Sequence, residues 1–586
     1  MATEMATNHA NGTSNESNGA KRSHWNKKMQ SLLSSIGYTV GLGHIWEFPY
    51  LCATNGGAAF LVAYFVIYII IGIPILFMEL AIGQYAQMGS LQMMAHLFPI
   101  LKGVGYAMII CSFGTAIYYN VMIAWSCNFL FASMQSELPW AGCEHDWNTN
   151  RCRTYDIKCQ PFNYSLSNIS NSPTLISLTY WGLIPSQSSN LTAPTDEFWN
   201  ALLLIQGLNS LVYLSPMQVV YFFVLFPYLT LVVIIVRGTT LSCSKAGILL
   251  YFHAGWEKLG QVDVWSKAAT QVLKSLGLGY GCLITIGSHN KFNNNCFRDA
   301  MLVSLFNGIT SLLAGLAMFS FTGFLAFANN GQVDNTVEGG IRLAFVAYPL
   351  MAAQVSLPKL WSILFYLMVM MLGLSTQVMY LENILVVVLD SFPKSVGARK
   401  RTSVISLLIC CTIYGISLPC TTQAGYHIVN LMANHFTGIS ILIICLFESI
   451  AIGWGYGSIK LGKSVTKMIG YKPWLYYWWI FCWISVVPVF LMALAVYETF
   501  RYLLVQANMP ISQSRLPSRA MNWALTSYSL LVILLFAICQ LMNTNTIKGC
   551  YELFKPRKDI YGDLQLNIQS QRGKWHRVPT PTLTYT

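Results

Sequence analysis

The amino-acid sequence predicts an all-α protein that crosses a membrane many times. Of its 586 residues, 54% are hydrophobic and only 10% are charged, and the mean hydropathy is +0.50. This composition is typical of a polytopic membrane protein and excludes an ordinary soluble fold. The 20 residues from Ala59 to Met78 carry no charge, which is enough for one helical crossing. Similar segments recur along the chain, and we expect about 12 spans.

The chain begins with a polar tail, residues 1–28, whose basic residues precede the first apolar segment and favour a cytoplasmic N-terminus. This tail has no apolar core, so we expect no cleaved signal peptide. The membrane domain should cover residues 29–545. Its predicted spans lie near 30–54, 59–83, 103–133, 198–214, 217–236, 268–288, 299–327, 359–390, 402–418, 425–456, 474–498 and 522–543. A weaker segment at 244–260 is more typical of a helix within a loop.

Glycines interrupt the first and the sixth spans. Gly37, Gly41, Gly43 and Pro49 break the helical pattern of the first, and three glycines in 275–281 break the sixth. Backbone groups freed in lipid survive only inside protein or beside a water-filled cavity, so a broken helix is a candidate ion or substrate site. A glycine-rich packing face is the alternative, but the second break favours a functional site. The first ten spans divide into two sets of five, which suits an inverted repeat.

Residues 135–197 form a long polar loop with the features of an extracellular segment. It contains three N-glycosylation motifs and three cysteines: Asn163, Asn168 and Asn190, and Cys143, Cys152 and Cys159. Glycans and disulfides both require the lumenal or extracellular side. Three cysteines cannot all pair within one loop, and we favour Cys143–Cys152, with Cys159 free or bonded elsewhere. The motifs at Asn11 and Asn15 should stay unused if the N-terminus is cytoplasmic.

The net charge of +13 is dispersed over loops and tails. Cationic cytoplasmic loops explain it better than nucleic-acid binding does. Residues 546–586 also carry basic residues, and we expect a cytoplasmic C-terminal tail. No nucleophile–base pair, P-loop or dinucleotide fingerprint stands out, so an enzyme is not expected.

Several stretches resemble those of the neurotransmitter:sodium symporter family, and the resemblance covers roughly residues 21–545. The stretches are Phe48-Pro-Tyr-Leu-Cys52 with Asn55-Gly-Gly57, Met78-Glu-Leu-Ala-Ile-Gly-Gln84, Tyr118-Tyr-Asn120, Ala269-Thr-Gln-Val272, Ser288-His-Asn-Lys-Phe292, Asn295-Cys-Phe-Arg-Asp299 and Leu372-Gly-Leu374. The resemblance implies a fold like that of the bacterial leucine transporter. It also implies Na⁺-driven, commonly Cl⁻-dependent uptake of an amino acid or related amine by alternating access, in a divergent member.

The resemblance also implies specific binding residues. The substrate site would contain Thr39, Gly41, Leu42, Gly43, Thr115, Tyr119, Lys274, Gly277, Tyr280, Thr376 and Tyr380. The second sodium site would use Gly37, Val40, Leu372, Ser375 and Thr376, and the first would use Thr39, His44, Ser275 and Asn307. Chloride would bind at Tyr64, Gln271, Ser275 and Ser311, and Arg22 and Asp390 would form the inner gate. Gly41 stands where monoamine carriers place an aspartate, so an amino acid fits better than a catecholamine.

Four positions depart from the family pattern. His44 replaces an asparagine in the first sodium site, and imidazole is a poor ligand for Na⁺. Glu47 replaces the outer-gate arginine, Asn434 stands at its acidic partner's position, and Lys274 replaces the aromatic residue that covers the substrate. A lone charge at membrane depth is costly unless it is paired. We therefore hypothesise an ion pair between Glu47 and Lys274, in which the ammonium replaces the first Na⁺ or gates access. The alternative is a pair that plugs a degenerate pocket.

The predicted span at 198–214 is short for a crossing, so it is either a reduced fourth span or part of that helix is missing. The sequence favours a plasma-membrane secondary transporter for a small neutral amino acid or related solute, coupled to Na⁺ and Cl⁻, with an altered first sodium site. Its expected partners are this solute, membrane lipid and a possible second copy of the chain. The alternative is a transport-inactive paralogue that acts as a binding or regulatory membrane protein.

Overall fold

The computed structural model describes residues 28–150, 152, 198, 220–241, 244–328, 340–391, 399–422, 425–508, 516–544 and 552–554. Several predicted features lie outside these residues: Arg22, Cys159, Asn163, Asn168, Asn190, both predicted tails except for a few residues, and the predicted span at 198–214 apart from Phe198.

Helices make up the framework of the described chain. The first part forms α1 (Lys28–Thr39), a 3-10 turn (Leu42–His44), α2 (Glu47–Thr54), α3 (Ala58–Ile67), a π-helical turn (Tyr68–Gly72), α4 (Ile73–Ala86), α5 (Ser90–Leu97), a 3-10 turn (Pro99–Leu101), α6 (Lys102–Ser133), α7 (Val220–Thr240) and α8 (Ser244–Phe252). The second part forms a 3-10 turn (Trp256–Gly260), α9 (Val262–Leu276), α10 (Cys282–Ser288), α11 (Cys296–Ala328), a π-helical turn (Leu343–Ala347), α12 (Tyr348–Ala353), α13 (Pro358–Ser391) and α14 (Arg399–Ser417). It ends with a 3-10 turn (Leu418–Thr421), α15 (Gly425–Phe436), α16 (Ile439–Ile450), a π-helical turn (Ala451–Gly457), α17 (Ser458–Ile469), α18 (Tyr476–Phe481), a π-helical turn (Cys482–Val486), α19 (Val487–Asn508) and α20 (Leu516–Met542).

The predicted class of an all-α polytopic membrane protein is confirmed. Within the described ranges, nine helical segments are long and apolar enough to cross a membrane. α14 and α20 are the least buried, since only 17% and 11% of their most apolar windows lie inside the protein. Such exposure of apolar side chains is expected of helices that face lipid. The two interrupted helices, α1–α2 and α9–α10, begin the two halves of the bundle.

The first break separates α1 from α2. The amide of Val40 donates the last helical bond, to Ile36 O at 2.9 Å, and Gly41 is extended at φ −100° and ψ −176°. Pro49 is the third residue of α2, where its missing N–H would have no helical acceptor. Gly37 lies inside α1 rather than in the break, so only Gly41 and Gly43 of the predicted set lie where the helix stops.

The second break, between α9 and α10, depends on glycine. Gly277, Gly279 and Gly281 have φ values of +65°, +77° and +81°, a region that other L-residues adopt at a cost. A left-handed residue at each end lets the chain leave one helix and enter the next within five residues. Both breaks therefore leave backbone groups free near the centre of the bundle.

The core around these breaks is formed by long helices. α13 packs along α6 and also contacts α1 and α7, while α10 packs against α4. The predicted loop helix at 244–260 appears as the nine-residue α8 and a 3-10 turn, and nine residues span only about 14 Å. Three elements escaped prediction: the short α5, α17 and the segment Leu343–Ala353, which contacts α13.

Candidate functional site

A central cavity of about 330 Å³ lies between the two breaks. Its floor is aromatic: the Tyr380 ring lies 5.8 Å from the Tyr38 ring, 5.7 Å from Tyr119 and 5.3 Å from Tyr280, measured between centroids. These rings supply an apolar surface with hydroxyl groups at its edge, which suits a small solute with one polar end.

Ten of the eleven substrate residues that the family resemblance implies line this cavity: Thr39, Gly41, Leu42, Gly43, Tyr119, Lys274, Gly277, Tyr280, Thr376 and Tyr380. Thr115 is fully buried in α6 and does not line the cavity. Gly41 matters because a Cβ atom there would lie 3.1 Å from Tyr119 Oη and 3.4 Å from Thr376 Oγ1. The missing side chain therefore keeps the space beside the Tyr119 hydroxyl open.

Glu47 and Lys274 form the predicted ion pair. Lys274 Nζ lies 2.5 Å from Glu47 Oε1, and the side chains are 16% (Lys274) and 32% (Glu47) exposed. A second, outer cavity of about 520 Å³ shares both residues with the central one, together with Leu51, Gln271 and Asn434. The ion pair and Asn434 thus stand where the two cavities meet. A cation and an anion at this position can control passage between them.

Oxygen atoms of the predicted second sodium site lie together between α1 and α13. Ser375 Oγ lies 2.9 Å from both Gly37 O and Leu372 O, and Thr376 Oγ1 lies 3.2 Å from Leu372 O. Val40, the fifth predicted member of this site, is buried one turn after Gly37. Two carbonyls and two hydroxyls at these distances are hard ligands that suit a small cation. The residues therefore fit Na⁺.

The first sodium site has a different set of atoms. The amide nitrogen of Asn307 lies 3.0 Å from Thr39 O, 2.8 Å from Ser275 O and 3.2 Å from His44 Nε2. On the other side of its ring, His44 Nδ1 lies 3.1 Å from Gly41 O. All four residues of the site are at most 5% exposed. A nitrogen donor, rather than an oxygen ligand, therefore points into this site.

The chloride-site residues form a cluster of hydroxyl groups. Tyr64 Oη lies 2.9 Å from Ser275 Oγ and 3.2 Å from Ser311 Oγ. Gln271, the fourth member, is on the same helix as Ser275 and is 1% exposed. Hydroxyl and amide protons can all turn towards an anion. The cluster fits chloride.

At the opposite end of the bundle, Asp390 accepts a hydrogen bond from the amide of Gly89 at 2.8 Å. His289 Nε2 lies 3.7 Å from Glu382 Oε1. Cys143 and Cys152 form the predicted disulfide, with Cα atoms 5.8 Å apart.

Several residues that hold the second break were not predicted. The carboxylate of Glu79 accepts from the Gly279 amide at 2.9 Å, and the Tyr38 hydroxyl donates to Gly277 O at 2.8 Å. Asn383 Nδ2 and Ser112 Oγ both donate to Tyr280 O, at 3.0 and 2.7 Å. A signal existed for Glu79, because a lone charge that ends a 20-residue apolar run needs a buried partner.

The sequence is similar to those of known transport proteins. A sequence model described as the sodium:neurotransmitter symporter family matches residues 22–544. The sodium- and chloride-dependent neutral and basic amino acid transporter B(0+) of Mus musculus is 38% identical over 520 residues, 82% of this chain and 80% of that protein. The sodium- and chloride-dependent glycine transporter 1 of Xenopus laevis is 36% identical, with 82% and 79% covered. The sodium-dependent serotonin transporter of Drosophila melanogaster is 35% identical, with 88% and 82% covered.

Proposed function

The chain belongs to the sodium:neurotransmitter symporter family, and from this premise we propose that it is a secondary active transporter of the plasma membrane. It couples uptake of a small neutral amino acid or related solute to Na⁺ and Cl⁻ by alternating access. The observation that carries the proposal is the oxygen cluster of the second sodium site, beside a cavity that both helix breaks line. The family consists of transporters, which supports the expectation of a non-enzyme.

The cavity supports an amino acid as the substrate. A carboxylate would be held by the Leu42 and Gly43 amides and the Tyr119 hydroxyl. These three residues line the cavity, and the Tyr119 hydroxyl borders the space that Gly41 leaves open. Hydrogen-bond donors at such a helix break stabilise an anionic group. The tyrosine rings would then contact a neutral side chain.

The position of the second sodium site supports coupling to the motion of helices. Gly37 is on α1, whereas Leu372 and Ser375 are on α13. A cation bound between them joins the two helices, and its release lets them separate. The first sodium site is altered, since His44 presents a nitrogen where an oxygen ligand is expected.

The two ends of the cavity would be closed by different charged groups. Glu47 and Lys274 would close the outer end, and Arg22 with Asp390 would close the inner end, with both chain termini in the cytoplasm. The same outer ion pair favours the second candidate, a transport-inactive binding or regulatory protein, because it could hold the cavity shut.

Uptake of a panel of radiolabelled amino acids tests the proposal in cells that present the chain at their surface. Replacing Na⁺ in the medium with choline should lower uptake at least tenfold. Replacing Cl⁻ with gluconate as well should lower uptake further. Ser375→Ala should remove the Na⁺ dependence because it deletes an ion ligand. Ser362→Ala, about 20 Å along the same helix, should behave like the wild type. No uptake by protein shown to be at the surface would favour the regulatory candidate.

A further inference from the structure

We propose that the side-chain amide of Asn307 permanently takes the place of the first sodium ion, so that this protein binds one Na⁺ per chain, at the second site. The inference rests on the proposed Na⁺-coupled function and deepens it.

Two backbone carbonyl groups at the helix breaks lie beside the side chain of Asn307. Thr39 O belongs to the end of α1, and Ser275 O belongs to the last turn of α9. Carbonyls buried beside such breaks need a donor or a cation, because the helix does not continue to satisfy them. Asn307, which is 0% exposed on α11, donates to both, at 3.0 and 2.8 Å. The Asn307 side-chain amide therefore satisfies both carbonyl groups, which a cation would otherwise bind.

His44 explains why the nitrogen of the Asn307 side-chain amide, and not its oxygen, faces the first sodium site. Gly41 O can only accept a hydrogen bond, so His44 Nδ1, at 3.1 Å, must carry the proton of the neutral ring. His44 Nε2 is then an acceptor that lies 3.2 Å from Asn307 Nδ2. The two protons of that NH₂ group go to Thr39 O and Ser275 O, so Nε2 accepts no third hydrogen bond and acts by excluding the amide oxygen. Rotating the amide would bring its oxygen against this acceptor. His44 thus fixes Asn307 with its NH₂ group inward.

Binding of Na⁺ at the first site would be costly. Na⁺ would have to displace the NH₂ group and accept an imidazole nitrogen in place of an amide oxygen, and imidazole is a softer ligand than the oxygens that small hard cations prefer. The sequence-based hypothesis gave the Lys274 ammonium two roles, as the substitute for this ion or as a gate, and the geometry favours the gate. Its ammonium is held by Glu47 at 2.5 Å, and the nitrogen that meets Thr39 O and Ser275 O is that of Asn307.

Binding of ²²Na⁺ to the purified full-length chain, in nanodiscs and without substrate, tests the inference. We expect one bound ion per wild-type chain and none for Ser375→Ala. His44→Asn frees the amide to rotate and supplies a second amide oxygen, so this variant should bind two. His427→Asn makes the same exchange at an exposed position of α15 and should stay at one.

Two ions on the wild-type chain would overturn the inference and leave Na⁺-coupled transport intact. A wild-type chain that binds no Na⁺ would overturn the coupling itself. A folded His44→Asn variant that still binds one ion would contradict the assigned role of His44. The wild-type count needs no variant, so a misfolded substitution does not remove the test.

Discussion

At the scale of single residues, two opposite charges decide how the central cavity meets its surroundings. Among the residues that line this cavity, Glu47 has the single acidic side chain and Lys274 the single lysine side chain. They lie 227 positions apart in the sequence and 2.5 Å apart in space. Removing one partner leaves the other half-buried and unpaired, which costs more than removing both.

Single and double substitutions of this pair test that asymmetry. Glu47→Gln and Lys274→Gln should each lower the thermal stability of the purified chain, and the double variant should lose less than their sum. We expect a coupling energy of roughly 1–2 kcal/mol, less than for a fully buried pair because Glu47 is partly exposed. Lys267, two turns earlier on α9, pairs with Asp263 at a more exposed position, and Lys267→Gln should change little. Additive effects of the two substitutions would mean that no interaction exists.

At the scale of elements, the second break shows how three glycines replace a stretch of helix. Gly281 precedes α10 with φ +81°, and a Cβ atom there would lie 2.7 Å from Ser90 Cβ and Oγ. Gly470 ends α17 with φ +85°, but a Cβ atom there would meet nothing within 4 Å. The two positions share the backbone conformation and differ only in packing.

Alanine substitutions of these two glycines distinguish the cost of backbone strain from the cost of steric crowding. Gly470→Ala should destabilise the protein by roughly 1–2 kcal/mol, the cost of a left-handed alanine. Gly281→Ala should cost roughly 1–3 kcal/mol more, because Ser90 must also move. The midpoint of thermal unfolding in detergent measures both. Equal losses would show that α5, which carries Ser90, yields freely to a larger side chain.

The breaks and long spans could be predicted because their signals are local. Glycines, prolines and 20-residue apolar runs act within one segment, and the ion pair followed from two lone charges in apolar surroundings. The segment Leu343–Ala353 escaped prediction because it is too short to cross a membrane. It is defined by partners far away in the chain, such as Phe129, whose ring centroid lies 5.6 Å from that of Phe345. The inward NH₂ group of Asn307 likewise depends on Thr39, 268 positions earlier.

At the scale of the whole molecule, the position of the disulfide-bonded loop supports an expected orientation of the chain in the membrane. The disulfide between Cys143 and Cys152 lies at the end of the bundle that α6 reaches at Ser133. An oxidised pair belongs to the extracellular side. We expect that end to lie outside, with the ion pair facing outward and Asp390 facing the cytoplasm.

Glycosylation provides an independent measure of this orientation. We expect Asn163→Gln, Asn168→Gln and Asn190→Gln to remove the enzymatically cleavable glycan mass step by step, because all three would face the lumen during synthesis. Asn11→Gln and Asn15→Gln should leave the mass unchanged on the same gel. Loss of a glycan in either of the last two variants would place the N-terminus on the extracellular side.

The amide in the first sodium site has a consequence for the energy that the carrier can use. A zwitterion carried with one Na⁺ and one Cl⁻ moves no net charge, whereas a second Na⁺ would leave one positive charge per cycle. Each net charge that crosses 100 mV contributes about 2.3 kcal/mol, and that contribution vanishes when the cycle is neutral. Uptake would then draw no electric current. Ion concentrations alone, and not the membrane potential, would set how far the solute accumulates.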